Sequence, residues 1–426
     1  MIPRRHFLAT TALSALAFPA IVRGLAPNSK IVVAVMGVSR TSSGGNGRGS
    51  ELALSLAGLP NVEVTALCDV DEHHLAKAIE AVEKKTGRAP RGERDFRRIL
   101  EMTEIDALAI ATPDHWHAPA AILACAAGKH VYVEKPCCHN PHEGELLVAA
   151  ARKHQRIAQH GTQRRSWPAI QEAISKLREG AIGRVLSARS YYFNKRPSIG
   201  HGKVAVPAGL DWDLWQGPAP VREFHDNFVP YNWHWFWHWG TGELGNNGVH
   251  MLDVCRWGMG EDFPRRIVSG GAKLRFDDDQ ETPDTNTVTF DFPNGSISWE
   301  CRSWASRTPH DPACDAAFFG ENGSLYVTGS GYSICDLDGK ETAKGTGPGG
   351  NDSHLQNFCD TIRGSAKLNA EIEEGYKSAL LCHLGNIAWR TERTVRFDPA
   401  KGGILDNPEG AALWRREYRP EWEPRV

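Results

Sequence analysis

Residues 107–136 read Ala107-Leu-Ala-Ile-Ala-Thr-Pro-Asp-His-Trp-His117, a run of small residues, then Gly128-Lys-His-Val-Tyr-Val-Glu-Lys-Pro136. The apolar runs 107–111 and 130–133 read as short buried strands, and 118–127 between them reads as a helix. Strand, helix and strand at this spacing form a parallel crossover of right-handed sense. Lys135 follows the second strand directly, and Pro136 stops that strand from continuing. Open α/β sheets bind ligands at the carboxyl ends of their strands, so Lys135 is the first candidate for chemistry.

The alternation extends both ways. Strand 30–36 runs into Gly37-Val-Ser-Arg-Thr-Ser-Ser-Gly-Gly-Asn-Gly-Arg-Gly49, followed by helix 50–57 and strand 62–68, which ends in Asp69. Helix 72–85 comes next, and beyond Lys135 lie helix 141–154 and strand 156–160. This is a doubly wound parallel sheet whose glycine loop suits a dinucleotide pyrophosphate at a helix N-terminus. Gly37, Asn46, Gly47, Arg48 and Gly49 are the loop's cofactor candidates. Gly37 and Gly49 stand 12 residues apart, where the usual fingerprint spans about five, so the loop carries about seven extra residues. Asp69 lies 20 residues past Gly49, the offset of a carboxylate that accepts from ribose hydroxyls. A carboxylate there repels a 2′-phosphate, and Val70-Asp71-Glu72 offers no arginine to hold one, so NAD is expected over NADP. Thr112, Pro113, His115, His117 and Glu134 follow strand ends and are expected to complete the cofactor cleft.

The chain has 426 residues, 41% hydrophobic and 23% charged, with a net charge of −2. That leaves room for two or three domains and shows no basic face for nucleic acid or an anionic membrane. Arg4-Arg5-His6-Phe7-Leu8 precedes a mildly apolar run to Ala20. Twin arginines before such a run read as a Tat export signal over residues 1–25, too short to span a membrane, and place the protein in the periplasm. The ten cysteines include no Cys-x-x-Cys pair. A Tat substrate folds before export, so buried, reduced thiols are expected. His115/His117 and His234/His238 have ligand-like spacings, but no clustered acid or cysteine joins either pair and no metal is expected.

After residue 160 the pattern changes. Helix 167–179, strands 184–193, 266–276, 285–292, 296–303 and 324–328, and helices 354–362 and 374–390 describe an α+β domain over 161–400. Its large sheet should be mostly antiparallel. Residues 29–160 are then the parallel-sheet domain and 401–426 a tail. Seven of the 14 tryptophans fall between 212 and 257, densest in Tyr231-Asn-Trp-His-Trp-Phe-Trp-His-Trp239. The run reads either as packed core or as a ring-stacking wall for a sugar. Trp116, Trp233, Trp235 and Trp237 are the candidate rings, with Gln163 and Arg164 as polar substrate contacts. Residues 245–257 open a helix on which Asn246, His250 and Asp253 share a face, and His250 is the candidate general base.

Taken together, the glycine loop, Asp69, Ala111-Thr112-Pro113-Asp114-His115, Glu134-Lys135-Pro136 and Gly248-x-His250-x-x-Asp253 resemble the Gfo/Idh/MocA oxidoreductases. The tail Leu413-Trp-Arg-Arg-Glu-Tyr-Arg-Pro420 resembles those of exported bacterial members. The resemblance implies an N-terminal Rossmann domain, Lys135 as the catalytic lysine beside the nicotinamide, a cis Lys135–Pro136 bond and His250 as the catalytic histidine. It also implies a homodimer or homotetramer. Many members carry aspartate where this chain has Asn246. An amide cannot be a base's carboxylate partner, which leaves Asp253, or His250 alone, for that role. The implied reaction is hydride transfer between a secondary alcohol of a sugar or polyol and a tightly bound NAD, with NADP possible. Export to a compartment poor in free dinucleotide calls for a resident cofactor. Two alternatives stay open: redox-neutral glycoside cleavage through a transient 3-keto sugar, and a non-catalytic sugar- or dinucleotide-binding protein.

Overall fold

A computed structural model describes residues 29–39, 45–204 and 206–426. The expected export signal at 1–25 lies outside the described residues, as do positions 40–44 of the glycine loop.

The first sheet is wholly parallel. It contains β1 (Ile31–Met36), β2 (Val62–Cys68), β3 (Arg91–Glu93), β4 (Ala107–Ile110), β5 (His130–Val133) and β6 (Ala158–His160) in the order 3-2-1-4-5-6. The order reverses between β1 and β4, which opens the crevice where such sheets take a dinucleotide. The inner strands are apolar on both sides because both sides are covered. Val33 and Val35 pack against α1 (Arg48–Leu56) and α2 (Glu72–Thr86), through Leu52, Leu56 and Val82. Ala34, Leu108 and Ile110 face α3 (Phe96–Leu100), α4 (Asp114–Ala126) and α5 (Pro141–Lys153). Helix α4 starts at Asp114, four residues ahead of the expected 118. Pro113 at its N-cap has a preset φ, and Asp114 complements the helix dipole, so the chain turns helical at once.

The second sheet has eleven strands: β7 (Val185–Lys195), β8 (Arg266–Ala272), β9 (Thr285–Asp291), β10 (Ser296–Arg302), β11 (Trp304–Ala305), β12 (Ala316–Gly320), β13 (Gly323–Thr328), β14 (Gly331–Cys335), β15 (Glu341–Thr346), β16 (Val395–Asp398) and β17 (Gly403–Leu405). All its pairs are antiparallel except β7 with β10. Helices α6 (Pro168–Arg178), α7 (Trp212–Gln216), α8 (Val249–Met259), α9 (Asp352–Ile362) and α10 (Ile372–Thr391) follow in the chain, before a last short helix, α11 (Pro408–Ala412). Residues of α6, α8 and α10, among them Ile174, Leu252 and Leu381, bury one face of the sheet against Val288, Ile297 and Phe318.

The two sheets do not own separate sets of helices. From within 161–400, α9 sends Leu355, Phe358 and Ile362 into the core of the first sheet. Ile372 and Ala379 of α10 and Trp422 of the tail join the core on its other side. The boundary expected at 160 is therefore crossed by packing, because the first sheet lacks enough helix of its own to cover both faces.

A Cβ on Gly49 would lie 1.9 Å from the Gly37 carbonyl oxygen, whereas one on Gly270 meets nothing within 4 Å. Gly49→Ala is expected to lower unfolding free energy by about 1–3 kcal/mol through overpacking. Gly270→Ala should leave it near wild type in the same urea titration.

Candidate active site

A cavity of about 460 Å³ follows the carboxyl ends of β1, β2, β4 and β5, within the roughly 300–1,000 Å³ of ligand pockets. One end is walled by Asp69, Val70, His74 and Arg94, and the other by Lys135, Tyr231, Trp233, His234 and Asn246. Gly37 lies between, at φ +86°, and a Cβ there would stand 2.7 Å from the backbone of Ala111 and Thr112. Gly47 caps α1 without a side-chain partner, leaving that helix's first N–H groups for an anion. The Thr112 hydroxyl, also in the wall, is buried with no partner among the described residues. Uncapped helix, orphan hydroxyl and strand-end carboxylate fit a dinucleotide laid along the cleft. Arg48 lines the cavity but is held by Glu134 and Asn351, at 2.8 and 2.9 Å, and Asn46 is exposed at the end of the loop.

Asp69 ends β2, and burial pushes its carboxyl up to about 7. Val70-Asp71-Glu72 carries no arginine, but one reaches this end from elsewhere in the chain. Arg94, brought in after β3, lines the same wall and donates to the Val70 and Gly209 carbonyls, each at 3.3 Å.

Glu134 and Lys135 leave β5 side by side. Glu134 is buried and accepts from Arg48 at 2.8 Å, Gln163 at 3.0 Å and the Tyr132 hydroxyl at 3.1 Å. Burial opposes its ionisation, but the charges of Arg48 and Lys135 outweigh that and hold it below the usual carboxylate range. Gln163 is thus a support of Glu134 and is absent from the cavity wall, contrary to its expected substrate role. The Lys135–Pro136 bond is cis. Lys135 Nζ donates to both the main-chain and the side-chain oxygen of Asn246, at 2.8 and 2.9 Å. Burial lowers its pKa below the ordinary lysine value.

The expected uniform helix at 245 is instead a π-type turn, Leu244–Gly248, leading into α8. Such turns recur at functional sites. Here the turn gives Asn246 to Lys135, while His250 and Asp253 both lie on the regular helix α8 that follows. Asp253 is fully buried and engaged by Arg165, with Nε and Nη2 contacts of 2.8 Å, and by the Ser378 hydroxyl at 2.7 Å. Its carboxylate is committed to Arg165 and Ser378 rather than to His250. His250 is half-buried, and desolvation together with the charges of Lys135 and Arg164 holds its imidazole well below the usual range. It is therefore neutral, the same shift makes it a weak base, and it is not among the residues of the cavity wall.

The remaining candidates divide. Pro113, Trp116, His117 and Trp233 line the cavity. The His117 ring nitrogens face the Pro136 and Thr112 carbonyls at 2.6 and 2.9 Å, which steadies the backbone beside Lys135. His115 points the other way, with Nε2 3.0 Å from the Trp215 carbonyl, and is not a cleft residue. Trp235 is buried beneath Arg196, and Trp237 packs on Trp389 and Arg390 away from the cavity, so neither forms the stacking wall. Arg164 donates to the Gly329 carbonyl at 2.7 Å and faces His250 only through its charge. Sequence reasoning passed over Asp114, Tyr231 and His234, all in the wall. Asp114 is buried, accepts from the Thr241 hydroxyl at 2.6 Å and is pushed up to about 7 by burial. Its place in Thr112-Pro113-Asp114 was the available signal. Among the described residues no group of three or more His, Cys, Asp or Glu is placed to hold a metal. All ten cysteines are free, and nine are buried.

Residues 31–162 match the family model of the oxidoreductase NAD-binding Rossmann fold, and residues 191–424 match that family's C-terminal alpha/beta domain. The chain belongs to the Gfo/Idh/MocA oxidoreductase family and carries its NAD-binding domain. It is 30% identical over 168 residues to levoglucosan dehydrogenase of Pseudarthrobacter phenanthrenivorans, covering 39% of this chain and 36% of that protein. It is 33% identical over 199 residues to a glycosyl hydrolase family 109 protein of Saccharopolyspora erythraea, covering 43% and 42%. The matches thus span less than half the length of these curated relatives. Among solved structures, a levoglucosan dehydrogenase in complex with NADH superposes with TM-score 0.68 at 18% identity, covering 87% of this chain and all of that one. The WlbA dehydrogenase from Bordetella pertussis, in complex with NADH and UDP-GlcNAcA, gives 0.63 at 19%, covering 87% and 99%. At these identities the structural matches establish the fold.

Two outcomes test the site. Asp253→Ala takes the main partner from the buried Arg165 guanidinium, leaving it only Glu374 at 3.5 Å, and is expected to cost about 3–5 kcal/mol in urea unfolding. A stability near wild type with turnover lost would restore Asp253 to the chemistry. Second, a ribose hydroxyl favours the ionised Asp69. NAD affinity of the apoprotein should therefore weaken as pH falls through about 7, by up to roughly tenfold per unit. In Asp69→Asn that slope should disappear from a calorimetric pH series.

Proposed function

We propose that this protein transfers hydride between a secondary alcohol of a sugar or polyol and a resident NAD. The reading is carried by Lys135, whose amine stands in the cavity wall on two oxygens of Asn246 at 2.8 and 2.9 Å. The dehydrogenase and glycosyl hydrolase relatives, both named for sugar chemistry, support the substrate class. When bound, the nicotinamide accepts or returns the hydride. Lys135 orients the substrate hydroxyl and offsets negative charge that develops on its oxygen, at a buried position where such charge interactions are strong. His250, held neutral, accepts the hydroxyl proton and returns it in reverse. Trp233, Tyr231 and His234 supply ring faces and polar rims for the sugar. The twin arginines at 4 and 5 suit export, and an exported enzyme of this kind keeps its dinucleotide and recycles it in place. The open face of the large sheet is the proposed surface of a homo-oligomer.

The family 109 relatives favour a second use of the same residues: oxidation at C3 acidifies the neighbouring C–H, the glycosidic substituent is eliminated as its alcohol, water adds in its place, and hydride returned to the C3 ketone regenerates the cofactor. Products separate the two. A ketosugar with reduced cofactor supports the first, and a released aglycone without net oxidation supports the second. In either case Lys135→Met is expected to slow turnover by about 10²–10⁴-fold. Full turnover in that variant would remove Lys135 from the chemistry. Sugar binding with no change at the reduced-nicotinamide absorbance band would point to a binding protein.

A further inference from the structure

Residues 207–216 leave the second domain and lie across the first. Leu210 forms a bridge with Asp71, the Asp211 N–H donates to the Val70 carbonyl at 3.0 Å, and the Glu72 N–H donates to Gly209 at 3.2 Å. This segment contributes Pro207, Leu210, Leu214 and Trp215 to the cavity, opposite Asp69. It is a strap over the ribose end of the cleft. Its far side is fastened by the C-terminal tail. Arg419 pairs with Asp213 at 2.8 Å, and its N–H donates to the Pro218 carbonyl at 3.2 Å. Trp422, 7% exposed, meets Trp116 edge-on at 5.0 Å under the Arg97 guanidinium at 4.6 Å. Trp116 in turn donates to the Trp215 carbonyl at 2.9 Å, so the cavity wall, the strap and the tail form one chain of contacts.

We infer that the tail is a buckle that retains the dinucleotide: Trp422 and Arg419 hold the strap closed over the adenosine end and set the rate at which the cofactor leaves. This rests on the reading of the cavity as a resident NAD site. Asp213 is exposed, so its ion pair contributes little, and the buried Trp422 ring carries most of the effect.

The test is release of NADH from the full-length holoprotein, followed by its fluorescence after a chase with excess NAD. Wild type should keep NADH through gel filtration. Trp422→Ala should release it about tenfold faster, Arg419→Ala about two- to threefold faster, and Trp422→Phe close to the wild-type rate, since interface changes act mainly on dissociation. AMP, which fills only the adenosine end, should lose affinity in Trp422→Ala, while nicotinamide mononucleotide should not. A folded Trp422→Ala with wild-type release overturns the buckle. If that variant does not fold, unchanged release from Arg419→Ala overturns it. Wild-type protein that loses NADH at once contradicts the resident cofactor itself.

Discussion

Lys135 reaches from the end of β5 to two oxygens of Asn246, and this contact joins the two halves of the molecule in the wall of the cleft. Each partner depends on a departure from regular structure. On one side the strand is stopped by a proline, and on the other the helix opens with a π-type turn. An ammonium buried here without an acceptor would be costly, so the amide and carbonyl make the position tenable. Burial lowers the lysine's pKa, and that brings a proton-handling amine toward the neutral range where it is useful.

The surroundings keep this amine in place without neutralising it. Glu134, next in the chain, is satisfied by Arg48, Tyr132 and Gln163, and so supplies negative charge without forming a direct pair with the lysine ammonium. His117 fastens the backbone on either side of the strand end. His250 and His234 both sit near the lysine's charge and are held neutral by desolvation first and that charge second. The buried pair between Arg165 and Asp253 of α8 is structural. One cation thus has neutral imidazoles around it, an arrangement suited to moving the proton of a hydroxyl while hydride leaves the carbon that bears it.

The parallel sheet was legible because β1 and β4 read as unbroken apolar runs, and β2 and β5 read as mostly apolar runs that end at Asp69 and Glu134. β3, Arg-Gly-Glu, has no such pattern and was invisible, as were the short strand β12 and the short, glycine-bearing or charged strands β14 to β17 toward the two ends of the second sheet. Lys135, Asp69 and the loop glycines were readable from order along the chain, since strand ends fix where those residues emerge. Direction was not. Nothing local says that His115 turns toward Trp215 while His117 turns toward the cleft. The helix read from residue 245 assumed 3.6 residues per turn where the chain opens with a π-type turn, so only His250 and Asp253 keep the regular helical spacing. The roof of the cleft, 207–216, and Arg94 arrive by long-range packing that no local pattern encodes.

The most direct test of the central claim is the titration of Lys135 itself, by NMR of protein carrying ¹³C at lysine Cε, with the resonance assigned by its absence in Lys135→Met. A pKa below the ordinary 10.5, moving upward in Asn246→Asp as a carboxylate replaces the amide, is the result expected of a buried amine held by residue 246. A titration at the ordinary value, unchanged by that substitution, would contradict it.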